Sequence, residues 1–313
     1  MNAPRLNVAV IIPTYNRACF LREAIESALS QSVPPIGVYV VDDASTDDTP
    51  QLMEKWYGAH PSVHYIRLPE NSGPAYARMV GVKAARTEWI AFLDSDDVWL
   101  PDHLEKAAQI IAENPHVRFI YAQRGHIDKN SKLIIDQITE AWSGHSLEVL
   151  LKRIIFRPSQ IVTHVEVYYG VTSMIPLTIK EVYFVEDYIT GILTAHFFGD
   201  KIHISPHRTV LMRIHDNQSY SAADMLKNNL LKAVDIVFDA AKSLEPYRSL
   251  TIAANLYHAA YFMWRAGRWS KAWKTFLEGI LTETKSIGLK DFWVTGSRLV
   301  WPPKVRALIR PGR

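Results

Sequence analysis

The sequence predicts an α/β fold: a mainly parallel central sheet flanked by helices, with a helical C-terminal appendage. Three observations carry this. Short apolar, β-branched runs alternate with segments of helical periodicity through the first third of the chain. Polar, acidic and aromatic residues stand just after those apolar runs, the edge at which such sheets bind ligands. From about residue 222 the apolar spacing is helical throughout.

The elements follow in order. Residues 8–12 (Val-Ala-Val-Ile-Ile) form a strand buried on both faces, stopped by Pro13. Leu21, Ala24, Ile25, Ala28 and Leu29 set a helix over 20–30. A second strand over 38–41 ends in Asp42-Asp43, and a helix over 49–57 follows. A third strand spans 63–68. A helix over 73–85 is entered through Asn71-Ser72-Gly73-Pro74, and a fourth strand over 89–93 ends in Asp94. This alternation implies right-handed crossovers. Beyond it the pattern predicts helices over 99–112, 147–156 and 185–198, and strands over 117–122, 165–173 and 202–214. Leu226, Leu230, Val234, Val237, Phe238 and Ala241 then form one helical stripe. Pro246 breaks it, and helices over 250–266 and 269–281 follow.

Composition narrows the function. Of 313 residues 48% are apolar and 21% charged, which permits a full core. A net charge of +3, from 35 basic and 32 acidic residues, gives no reason to expect a nucleic-acid binder. With Cys19 as the single cysteine, neither an internal disulfide nor a thiolate zinc site is expected. Neither a signal peptide nor an apolar run of about 18 residues is seen, so the expected compartment is the cytoplasm.

Five groups of residues carry candidate chemistry. Asp94-Ser95-Asp96-Asp97 concentrates carboxylates at a strand end, a site for a hard cation such as Mg²⁺ or Mn²⁺ that shares its shell with phosphate; the alternative is a solvated turn capping the next helix. Asp42-Asp43 can accept a base imide or a ribose hydroxyl, or form an Asx turn with Ser45 or Thr46 capping the next helix. Tyr15 can lie against a flat base and Arg78 can reach a diphosphate; otherwise these are a half-buried loop tyrosine and a surface ion pair. In Glu186-Asp187-Tyr188 one carboxylate can act as general base, or the pair can simply complement a helix dipole. His215 can touch phosphate or metal, or be a plain loop histidine.

The order of these blocks adds to them. Residues 10–17 (VIIPTYNR), 24–31 (AIESALSQ), 40–49 (VVDDASTDDT), 77–81 (ARMVG) and 90–101 (IAFLDSDDVWLP) resemble the family 2 glycosyltransferases of the GT-A fold, whose sheet is Rossmann-like. The resemblance is dense over about 6–112. It implies a catalytic domain over 1–220, with nucleotide-sugar binding at about 6–112 and the acceptor side at about 113–220, and a helical region over 221–313 with a basic tail. It implies that Pro13, Tyr15 and Asp43 hold the nucleotide base, that Arg78 approaches the diphosphate, and that Asp94 with Ser95 approaches the ribose. It further implies that Asp96 ligates Mn²⁺ or Mg²⁺, and that Asp187 is the base of an inverting transfer from a nucleotide-sugar donor, a UDP-sugar, to a saccharide or lipid-linked saccharide acceptor. Two departures stand out: Arg78-Met79-Val80-Gly81 replaces the family's Arg-Asn-x-Gly, and residues 175–185 lack the usual glycines before the Glu-Asp motif. Competing expectations are an inactive scaffold on the same fold and a nucleotidyltransferase, although the glycine-rich phosphate loop of the latter is missing. The last 28 residues carry six basic residues with Trp293 and Trp301 among them, suited to an anionic membrane surface or to a solvated end.

Overall fold

The computed structural model describes residues 6–135, 151, 157–175, 185–215 and 223–284. The chain divides into two compact units, one of residues 1–144, 156–180 and 197–216, the other of 145–155, 181–196 and 217–313.

The first unit is built on β1 (Val8–Thr14), α1 (Ala18–Leu29), β2 (Gly37–Asp42), α2 (Thr49–Tyr57), β3 (Val63–Arg67), α3 (Pro74–Ala85), β4 (Trp89–Phe92), β5 (Val98–Trp99), α4 (His103–Glu113), β6 (Phe119–Ile127), β7 (Leu133–Ile135), β8 (Ile161–His164), α5 (Val165–Thr172) and β9 (Ile202–Arg213). The sheet runs β3-β2-β1-β4-β8-β6-β9-β5, with β7 paired to β6. Strands β3, β2, β1 and β4 are parallel. β8 is antiparallel to both β4 and β6, and β6 is parallel to β9. The carboxyl ends of β1 to β4, β6 and β9 therefore share one edge.

The apolar runs explain this sheet. Val8 to Ile12 are all fully buried, because helices cover both faces. Val10, Ile12, Val38 and Val40 share a core with Leu21, Ala24, Ile25 and Ala28 of α1 and Leu104, Ala107 and Ala108 of α4. On the opposite pleat, α3 comes very close to the strands. A Cβ at Gly81 would stand 2.6 Å from Ile11 Cγ2 and 3.1 Å from Val41 Cγ2, so glycine permits the approach that fixes Arg78 one turn earlier.

Three expectations are corrected. Residues 165–172 are helical, not a strand. Val167 and Val171 bury one helix face four residues apart, and His164 Nδ1 accepts the Glu166 N–H at 3.2 Å as a cap; the strand lies just before, in β8. The helix expected from 99 starts at His103, because Val98 and Trp99 pair with Leu211 and Val210 of β9. The strand expected over 117–122 extends to Ile127, since β9 runs alongside it. The helix expected over 147–156 and the basic tail lie outside the described residues, Leu151 excepted.

The second unit is helical: α6 (Glu186–Phe198, whose last two residues belong to the first unit), α7 (Ala223–Ala240), a 3-10 turn at Lys242–Tyr247, α8 (Arg248–Arg265) and α9 (Trp269–Thr282). The expected stripe is buried at Leu226, Leu230, Val234, Val237 and Phe238. Helices α8 and α9 share a core of Ala253, Tyr257, Ala260, Met263, Ala272 and Phe276. Buried Asn255 donates to the Tyr188 hydroxyl at 2.8 Å, and that hydroxyl donates to the Leu151 carbonyl at 2.9 Å. Among the described residues no helix is long and apolar enough to cross a membrane.

His103 makes the first unit sensitive to acid. It is buried, stacked on Trp99 at 4.3 Å, and its Nδ1 lies 2.7 Å from Thr209 Oγ1. Burial lowers its pKa to about 3. The unfolded chain, with an ordinary histidine near 6.5, binds this proton first, so stability falls as pH drops below about 6.5. Chemical denaturation at pH 7.5 and pH 5.0 is expected to show about 2 kcal/mol lost through this group. The loss should be absent in His103→Phe; an equal pH dependence in the variant would remove His103 from the account.

Candidate active site

The loop after β1 is locked to the loop after β2. Asn16 takes a left-handed conformation (φ 51°), which asparagine tolerates better than most residues. Its N–H donates to Ser45 Oγ at 2.9 Å, and its side-chain oxygen accepts from the Thr46 N–H at 2.8 Å and the Asp47 N–H at 3.3 Å. This leaves Tyr15 on the rim, 44% exposed, while Pro13 is buried within β1.

Asp42 and Asp43 have different tasks. Asp42 Oδ1 accepts the Ser45 N–H at 2.8 Å, and its Oδ2 accepts from the Tyr65 hydroxyl with Arg67 Nε at 3.7 Å. Burial and this carboxylate raise the Tyr65 pKa. Asp42 thus holds the loop through the N–H three residues on, one further than in the expected Asx turn. The helix that follows is held not by Ser45 or Thr46 but by Asp47, whose Oδ1 accepts the Thr49 N–H at 3.0 Å and the Thr49 hydroxyl at 2.6 Å. Buried Asp43 accepts the Ser72 N–H at 2.7 Å and the Gly73 N–H at 2.8 Å, one on each oxygen. It holds the entry to α3, and each oxygen keeps a lone pair for a further donor.

The acidic turn follows β4. Asp94 pairs with Arg78 at 2.6 Å. Arg78 is buried, so it is not the surface ion pair of the simpler alternative. Asp97 is buried too; its Oδ2 accepts from Ser159 Oγ at 2.6 Å and its Oδ1 accepts the Arg213 N–H at 3.0 Å. Desolvation, then the charges of Asp96 and Asp94, push its pKa up. Ser159 Oγ also accepts the Asp94 N–H at 3.0 Å. Ser95 is buried within the turn. Asp96 Oδ2 lies 2.9 Å from His215 Nε2 and 3.9 Å from Arg17 Nε. His215 is therefore not a plain loop histidine: its side chain is 5% exposed and its ring packs on Phe20 at 5.1 Å.

Fully buried Arg213 organises the surroundings. It donates to the Asp96 carbonyl at 2.8 Å, the Asp128 carbonyl at 3.1 Å and Ser131 Oγ at 2.9 Å, pairs with Glu23 at 2.6 Å, and stacks on Phe20 at 4.9 Å. Sequence reasoning missed Arg17, Glu23, Ser159 and Arg213. The one usable signal was Arg213, an inward charge closing an alternating strand two residues before His215.

The first unit brings together Pro13, Tyr15, Asp43, Arg78, Asp94, Ser95 and Asp96. Asp187 stands in the second unit, buried in the first turn of α6, with Oδ1 accepting the Tyr188 N–H at 2.9 Å. Among the described residues no three His, Cys, Asp or Glu side chains are arranged as a closed metal cage. The donor set still fits a hard divalent ion: an aspartate with an imidazole beside it offers one or two ligands, and such an ion fills its remaining positions with water and phosphate oxygens.

Comparison with known proteins gives this edge a family. The family model described as glycosyl transferase family 2 matches residues 9–169. The succinoglycan biosynthesis protein ExoO of Rhizobium meliloti (strain 1021) is 41% identical over 126 residues, 36% of this chain and 36% of that protein. The chain matches less than half the length of the first curated relatives. Among solved structures, S. aureus TarS 1–349 in complex with UDP-GlcNAc superposes with a TM-score of 0.62 at 21% identity, covering 88% of this chain and 80% of that one. The mannosyltransferase PcManGT of Pyrobaculum calidifontis, in complex with GDP-Man and Mn²⁺, gives 0.56 at 18% identity, covering 95% and 88%. The mostly parallel sheet flanked by helices is the GT-A fold of these glycosyltransferases, and the chain belongs to glycosyl transferase family 2.

Proposed function

We propose that the protein is an inverting glycosyltransferase that moves a sugar from a UDP-sugar to a hydroxyl of a saccharide or lipid-linked saccharide, in the assembly of a cell-surface polysaccharide. The observation that carries this reading is the acidic turn at the carboxyl end of β4, with Arg78 on Asp94 and with Arg17 and His215 on Asp96. The likeness to TarS, seen in complex with UDP-GlcNAc, and to ExoO, a succinoglycan biosynthesis protein, supports the donor and the pathway class.

On this reading the carboxyl edge divides its tasks. Tyr15 lies along the base, and Asp43, held by two backbone N–H groups, accepts the base N–H. Asp94 accepts from the ribose while Arg78 faces the diphosphate. Asp96, with His215 beside it, would hold Mn²⁺ or Mg²⁺, and the ion would supply positive charge toward the departing diphosphate. Arg17 adds a fixed cation on the same side. Asp187 takes the proton from the acceptor hydroxyl as its oxygen attacks the anomeric carbon opposite the leaving phosphate. One displacement leaves the configuration inverted. Residues 1–220 carry this chemistry and 221–313 support it.

Calorimetric titration of UDP, GDP and dTDP is expected to show Mn²⁺-dependent binding of UDP, weakened about tenfold or more in Asp96→Ala. Equal binding in the variant would displace Asp96 from the metal, and no nucleotide binding at all would leave an inactive scaffold. Asp187→Asn is expected to lower kcat by about 10²–10⁴-fold with the Kd for UDP unchanged. NMR of the first-formed product should show inversion; retention would overturn the single displacement.

A further inference from the structure

Helix α9 presents a large apolar face to solvent. Ala272, Thr275, Phe276 and Gly279 turn inward, and Gly279 closes on Tyr257, where a Cβ would meet the ring at 2.6 Å. Next to this buried face stand Trp269 (56% exposed), Trp273 (38%), Leu277 (51%) and Leu281 (86%). Four-residue steps advance about 40° each around a helix, so these side chains cover an arc of about 120° along the whole of α9. Single exposed apolar residues need no explanation, but a continuous row with two tryptophans does.

The charges around the row are mainly basic. Arg265, Arg268, Lys271 and Lys274 are exposed at its start and along its polar border. The two nearby acids are outnumbered: Glu278 pairs with Lys227, and Glu283, at the end of the helix, accepts from Ser249 Oγ at 2.8 Å. A second copy placed face to face would set these cations against each other. A surface with apolar depth and negative headgroups meets both features, with tryptophan rings at the boundary and lysine stems reaching past them to the phosphates.

We propose that the Trp269–Leu281 face of α9 is a docking surface for an anionic lipid bilayer, on which the helix lies in the plane of the headgroups. The proposal concerns the second unit alone and does not depend on the reaction proposed above.

Flotation of the full chain with large unilamellar vesicles tests it. The wild type is expected to float with phosphatidylglycerol/phosphatidylcholine vesicles and to stay down with phosphatidylcholine alone. Trp269→Ser/Trp273→Ser/Leu277→Ser should cut partitioning about tenfold or more. Lys271→Glu/Lys274→Glu, which alters only exposed positions, should do the same at low salt. Circular dichroism and thermal unfolding matching the wild type would show that both variants are folded; if the triple variant fails this control, the lysine variant decides. Wild-type protein that does not float, or folded variants that float like it, would overturn the proposal; in the latter case the basic segment 286–313 carries the binding. Light scattering that shows a dimer lost in the triple variant, without vesicles, would assign the face to a second copy instead.

Discussion

Three carboxylates, Asp94, Asp96 and Asp97, stand within four residues at the end of a buried strand, and much of the first unit is arranged around answering them. Buried negative charge is costly without donors or cations nearby. The answering groups come from distant parts of the chain: Arg78 from α3, Ser159 from the turn before β8, Arg17 from the loop after β1, and the Arg213 N–H and His215 from the end of β9. Even so, burial and the two neighbouring charges keep Asp97 above the usual carboxylate range. A carboxylate held above its usual range favours its neutral form, so the charge that a cation would meet at this strand end sits on Asp94 and Asp96.

The inserted antiparallel strand serves this turn. β8 pairs with β4 through Ala91 and Val162 and with β6 through Ile120 and Val162, so residues 158–160 arrive beside the end of β4. Ser159 then does three things at once: it donates to Asp97, accepts from the Asp94 N–H, and offers its carbonyl to the Trp99 indole at 2.8 Å. Gln160 beside it accepts from Tyr121 and from Arg124, tying the same turn to β6. A sheet of parallel strands alone would leave the acidic turn without this support.

The parts that were legible in the sequence are those in which local pattern and burial agree. Residues 8–12 and 49–57 read correctly because one run is buried on both faces and the other has clear helical spacing. The segment 165–172 did not, because Val-Glu-Val-Tyr-Tyr satisfies alternation over a few residues as well as it satisfies the four-residue step between Val167 and Val171. In the site, strand-end position singled out Asp42-Asp43 and Asp94 to Asp97, since pattern alone marks where strands end, and the resemblance chose Asp43, Asp94 and Asp96 among them. Their partners were less visible: Ser159 lies 62 residues from Asp97, and Arg213 lies 117 residues from Asp96. Nothing local distinguishes Ser159 from an ordinary loop serine, and only the inward place of Arg213 at the end of an alternating strand sets it apart from a surface arginine. The assignment of Asp187 rests on its motif, and its helix-start position suits dipole complementation equally well.

Asp42 and Asp43 show how a strand end turns one residue type into two functions. Successive side chains leave a strand on opposite faces. Asp42 therefore turns to Tyr65 and Arg67 of the neighbouring strand and spends its remaining acceptor capacity on the Ser45 N–H. Asp43 turns to the start of α3, where the Ser72 and Gly73 N–H groups fix both of its oxygens. Gly73 can offer its N–H there because it adopts φ 89°, which most residues resist. The carboxylate is thereby oriented in advance while keeping a lone pair on each oxygen, so a ligand N–H arriving at this edge meets an acceptor whose ordering cost has already been met by the fold.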